Sequence, residues 1–171
     1  SNSEFRSAQD RRDAAEGLAA ATDEYERLVA QARQQLVDGD SKAAVKLTKK
    51  AIELDPLRAG AYYTLASAFS CSGDHLRASE CYYSAIERAE PDSGLWAQAV
   101  RYAWDARLRV APCGTSNLFC GCERCAALPE PRAWMASPQA LLATAERVAA
   151  ALPGDAESWD MHASAHWDMK S

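Results

Sequence analysis

Apolar residues recur at three- and four-residue intervals along most of the chain, the period of a helix with one buried stripe. In "DGDSKAAVKLTKKAIELDP", Ala44, Val45, Leu47, Ala51, Ile52 and Leu54 fall on one face after a turn at Gly39 and Asp40, and Pro56 ends the run. In "SGDHLRASECYYSAIERAEP", Leu76, Ala78, Cys81, Tyr82, Ala85 and Ile86 repeat the arrangement after Gly73 and Asp74, ahead of Pro91. Gly39 and Gly73 lie one period of about 34 residues apart, so the two segments predict one helical unit written twice. No strand-like alternation competes with this pattern.

The helix before each turn extends the repeat. "AYYTLASAFSCSGD" places Tyr62, Leu65, Ala66 and Phe69 at helical intervals, with small residues where two backbones must approach closely. The order aromatic, Leu, small, aromatic resembles the signature of tetratricopeptide (TPR) repeats over residues 59–91. It continues in the second helix of residues 23–56, whereas Leu28 and Gln31 replace the aromatic and Leu of the first. The resemblance implies an all-α fold: a right-handed superhelical array of antiparallel helix pairs, a TPR-like α-solenoid.

Downstream the pattern resumes in two pieces. Asp92 or Ser93 is placed to cap a helix through "LWAQAVRYAWDARLRV", with Trp96, Ala99, Val100 and Ala103 in one stripe. Ser137 and Pro138 form a cap and first-turn pair for "QALLATAERVAAAL", which ends at Pro153 and Gly154. These helices, at 93–110 and 138–153, form a third repeat split by an insertion over 111–137. A single helix at 156–169, containing Trp159, would cap the array or begin a further unit. Residues 1–21 form a further helix or a frayed segment, and Thr22 and Asp23 are candidate caps for the helix that follows them.

Composition narrows the function classes. The chain has 171 residues, 48% hydrophobic and 25% charged, with a formal net charge of -5 and a pI near 5.2. Its Lys and Arg are interspersed with acids, the opposite of the basic clusters that nucleic-acid phosphates require. No apolar run is long enough for a membrane span. The protein is accordingly expected in the cytoplasm or nucleus, where cysteines stay reduced.

The insertion carries the densest chemistry. Cys113, Cys120, Cys122 and Cys125 form a CxxxxxxCxCxxC set between Pro112 and Pro129. Four thiolates can hold one structural zinc at about 2.3 Å, and Gly114 and Gly121 loosen the backbone for such a wrap. A four-cysteine site has no open position for catalysis. Reduced thiols packing a loop, and disulfides, are the alternatives. "FCGCERC" also resembles the FxCxCxxC segment that follows the catalytic domain in SET and MYND methyltransferases, which implies at most an accessory region of such an enzyme. His162 and His166 share a helix face but lack the Glu of HExxH and a third ligand. Cys71 and Cys81 read as packing residues.

In TPR proteins the first helices of successive repeats line a groove for an extended peptide or a partner helix. Transferred here, that geometry puts Arg33, Tyr63, Thr64, Ser67, Gln98, Arg101 and Trp104 on the groove side. Its arginines and aromatics suit an acidic or C-terminal peptide. The residues by which chaperone-binding TPR domains clamp a terminal carboxylate are replaced here by Val29, Arg33 and Thr64. The expectation is a noncatalytic protein-interaction scaffold with a zinc-pinned loop. The alternatives are the methyltransferase accessory region and an assembly subunit that contacts its partner through the cysteine loop.

Overall fold

A computed structural model describes residues 7–110 and 132–154. All regular structure among them is helical. The chain divides into two compact units, Ser1–Ala89 and Glu90–Ser171.

The first unit holds α1 (Ala8–Ala20), α2 (Glu24–Val37), α3 (Ser41–Leu54), α4 (Ala59–Cys71) and α5 (His75–Arg88). Each helix packs on the next, and α2 also packs on α4. Their short connections make neighbours antiparallel. α1 forms because Ser7 and Asp10 close a capping box at its start.

The repeat read from hydrophobic spacing extends to individual hydrogen bonds. Gly39 and Gly73 both lie in the left-handed region, at φ 87° and 82°, which glycine enters without a Cβ penalty. Asp38, Gly39 and Asp40 donate to the carbonyls of Gln34, Leu36 and Gln35. Ser72, Gly73 and Asp74 donate to Ala68, Ser70 and Phe69, the same bonds one period later. Asp40 and Asp74 then cap the next helix, each accepting the N–H three residues on, from Ala43 at 2.9 Å and Arg77 at 3.2 Å. The backbone path and the cap are thus set by the same two residue types, Gly then Asp.

The helices approach closely because alanine occupies the contacts. Ala32, Ala44, Ala51, Ala61, Ala66, Ala68, Ala78 and Ala85 are fully buried. One core cluster joins Tyr25, Leu28 and Val29 to Ala51 and Ala61, and a second joins Ala32 and Leu36 to Ala44 and Ala68. Both therefore tie α2 to α3 and α4.

The second unit holds α6 (Gly94–Val110), a 3₁₀ turn at Ala133–Met135 and α7 (Pro138–Ala151). α6 packs on α7, and so does the turn. Of the two candidate caps, the Ser93 hydroxyl takes the Trp96 N–H at 3.2 Å, while Asp92 adopts a left-handed φ of 62°. Ser137 caps α7 through the Ala140 N–H at 3.1 Å, and Pro138 occupies its first turn. α6 runs for 17 residues, through the place where the earlier first helices turn. One period beyond Gly73 and Asp74 stand Arg107 and Leu108. Neither relieves a left-handed backbone nor caps a helix, so nothing stops α6 there.

One side-chain device appears in both units. An arginine from a second helix covers the aromatic ring of the first: Arg88 lies 4.2 Å above Tyr62, and Arg147 lies 4.5 Å above Trp96. In each case the Nε–H is anchored on the turn before the aromatic. Arg88 donates to the Pro56 carbonyl at 2.8 Å, and Arg147 donates to Asp92 at 2.7 Å.

Candidate functional site

The most elaborate polar cluster in the first unit arises from a missing cap. α4 begins after Arg58, whose side chain has no oxygen to accept an N-terminal N–H. Tyr25 of α2 supplies one from a distance: its hydroxyl accepts the Ala61 N–H at 2.8 Å and donates to the Arg58 carbonyl at 3.0 Å. Burial raises the Tyr25 phenol above its ordinary range, so it remains protonated.

Arg58 closes the cluster. Its guanidinium lies 4.0 Å above the Tyr25 ring, with Nη1 2.8 Å from Asp23 and Nη2 2.9 Å from Glu26. Asp23 also accepts the Glu26 N–H at 2.8 Å, and Glu26 accepts the backbone N–H and hydroxyl of Thr22 at 2.9 and 2.8 Å. These bonds hold both carboxyls below their usual values. The Glu26 N–H and then Arg58 act on Asp23, while the two Thr22 donors and then Arg58 act on Glu26. Asp23 and Glu26 share the single guanidinium of Arg58, so each of the three has a partner and the cluster keeps one net negative charge.

Beside this cluster, α1, α2 and the start of α4 enclose a cleft of about 260 Å³. Its floor is apolar, with Val29 and Ala30 buried, and its α1 wall is Gly17, Ala20 and Ala21. Arg33, one turn beyond Val29 and Ala30, lines the cleft and is exposed. Among the described residues it has no ion-pair or hydrogen-bond partner. The cleft thus combines an apolar floor, a wall of minimal side chains and one uncommitted positive charge.

The other expected groove residues occupy varied environments. Tyr63 is half-buried and meets Tyr82 edge-on at 5.6 Å. Thr64 and Ser67 are buried, and their hydroxyls donate to the Gly60 and Tyr63 carbonyls at 3.0 and 3.1 Å. In the second unit Gln98 is exposed, Arg101 lies 4.1 Å above the Tyr102 ring, and Trp104 is buried. Cys113, Cys120, Cys122 and Cys125 lie outside the described residues, as do Trp159, His162 and His166.

Among the described residues no group of three or more metal-ligating side chains comes together, and no helix is long and apolar enough to cross a membrane. Cys71 and Cys81 carry thiols rather than a disulfide, and burial pushes the Cys81 thiol up to about 11, the range of an inert packing residue. His75 opens α5 and is half-buried.

Sequence reading alone did not find Tyr25, Arg58 or the α1 wall. The local signal was slight: an Asp at the helix cap and a Glu three residues on, either side of an aromatic. Their partner in Arg58 lies more than thirty residues away. No family model matches the chain, and a search of curated proteins finds no match. The repeat therefore rests on the chain's correspondence with itself, residue by residue and bond by bond.

Proposed function

We propose that this protein is a noncatalytic interaction scaffold of TPR type, binding a partner peptide or helix along the first helices of its repeats. The observation that carries this reading is the duplicated helix–turn–helix unit, matched over one period in its glycine turns, aspartate caps and backbone hydrogen bonds. Such stacked units build extended surfaces whose side chains vary while the alanine-lined scaffold stays constant. The right-handed superhelix expected of that family belongs to the same proposal.

The four-cysteine insertion is proposed as a structural zinc loop that would stiffen a connection within the scaffold, in a reducing compartment such as the cytoplasm or nucleus. Elemental analysis of reduced protein is expected to find one zinc per chain, lost in Cys122→Ser. Metal-free protein would remove zinc from the reading.

Binding is tested by a peptide array and by pull-down with the full chain. Retained association is expected after deletion of residues 113–127. Loss of all association in that deletion would move the contact to the inserted loop, and a chain that captures neither peptide nor protein would overturn the scaffold reading.

A further inference from the structure

We propose that the cleft between α1, α2 and the start of α4 docks a short acidic peptide segment, a small apolar side chain lying against Val29 and Ala30 and a side-chain carboxylate reaching Arg33. The proposal rests on the scaffold reading and names the chemistry of its partner.

Three charged side chains line the cleft, and two of them, Glu26 and Arg58, are already paired at 2.9 Å. Glu26 is further occupied by both Thr22 donors, and Arg58 by Asp23 and the Tyr25 ring. Of the three lining charges Glu26 and Arg58 offset one another, and Arg33 is the one with no partner among the described residues. A guanidinium presents a planar fork that a carboxylate meets with two parallel hydrogen bonds. Lysine or arginine on a partner would instead face repulsion from Arg33.

The apolar floor adds the second requirement. Val29 and Ala30 are buried, so little surface is left for a large ring to cover, and a volume of about 260 Å³ suits small side chains. A Cβ on Gly17 would meet nothing within 4 Å, so this wall is open space rather than packed core. A side-chain carboxylate, held away from its own backbone by one or two methylenes, reaches the exposed Arg33 while its neighbour rests on the floor.

The test uses the full chain and a library of short, acetylated and amidated peptides with a central Glu or Gln between small apolar flanks, together with Gln peptides that keep a free C-terminal carboxylate. Binding is expected from the Glu set alone. Arg33→Gln should weaken it by about fivefold or more, the scale of one solvent-facing charge contact of about 1 kcal/mol, with Arg33→Lys recovering part of the loss. Gly17→Leu should block the cleft, whereas Gly17→Ala should leave binding intact. Arg33 is exposed, so its variants keep the fold even if a bulky residue at position 17 disturbs α1.

Peptides that bind equally with Glu or Gln, or that ignore both Arg33→Gln and Gly17→Leu, would overturn the acidic site and leave the scaffold reading standing. So would binding confined to the free C-terminal carboxylates. No binding to this library, with protein captured in the pull-down, has the same meaning. Failure of both assays removes the scaffold reading as well.

Discussion

The Tyr25 hydroxyl accepts the Ala61 N–H at 2.8 Å, so a side chain of α2 caps a helix that begins more than thirty residues later. An N-cap normally comes from the residue at the helix start. Here Arg58 holds that position, and its side chain is turned back over the ring that performs the capping.

Tyr25→Phe tests the cap alone, because the ring beneath Arg58 is retained. It is expected to lower stability by about 1–2 kcal/mol, the cost of losing a cap and leaving a buried N–H without its partner. Urea denaturation of the two proteins measures the difference. A change of only a few tenths would mean that water replaces the hydroxyl without loss.

Asp23 and Glu26 make an acid-side prediction. Both folded carboxyls titrate below their unfolded values of 3.8 and 4.5, so deprotonation is favoured in the folded state. Their contribution is fully present above those unfolded values and fades as pH falls through the lower folded ones. Both groups face solvent, which screens the effect. Urea midpoints measured from neutral pH down to about pH 3, spanning the usual carboxylate range, should fall less steeply for the Asp23→Asn, Glu26→Gln double variant than for the parent chain. Parallel curves would remove these two carboxyls as the source.

Gly73 tests the repeat turn. Its φ of 82° admits alanine only at a backbone cost, although a Cβ there would meet nothing within 4 Å. Gly73→Ala is therefore expected to destabilise by about 1–2 kcal/mol and Gly73→Asn by less, since asparagine tolerates the left-handed region. Equal losses in thermal melts would point to something other than φ. Gly17 lies inside α1 with open space at its Cβ, so Gly17→Ala should stabilise by about 0.5–1 kcal/mol in the same experiment.

In the second unit, Arg147 is tied at once to Asp92 and to the Trp96 ring. Arg147→Ala should uncover the indole and shift its environment toward water, at a cost of about 1 kcal/mol. Asp92→Ala combines loss of the ion pair with a left-handed alanine, so it should cost more than Asp92→Asn, whose side chain tolerates that backbone. Tryptophan emission during urea unfolding, compared with a Trp96→Phe chain, measures both. An unshifted spectrum in Arg147→Ala would show that other groups cover the ring.

Apart from the start of α4, the repeat helices and their turns could be read from the chain because they depend on residues close in sequence. Gly39 and Asp40 bend the backbone and then cap α3, Gly73 and Asp74 do the same for α5, and Ser137 with Pro138 opens α7. The over-long α6 follows the same local logic, since Arg107 and Leu108 occupy the positions of a glycine and an aspartate. Which groove residues keep free polar atoms could not be read this way. Thr64 and Ser67 spend their hydroxyls on carbonyls of their own helix and are covered by packing, while Arg33 stays exposed beside the cleft.

By itself, the sequence determined that the described residues are helical, which period they repeat and that Ser137 opens α7, because turn geometry and local capping act over three or four residues. Only the tertiary structure decided that Tyr25 caps α4, that Arg58 is neutralised by Asp23 and Glu26, and that α1 walls a cleft beside Arg33. Each of these joins groups far apart in the chain, and such pairings acquire a defined geometry only once alanine-lined helices have brought their backbones together.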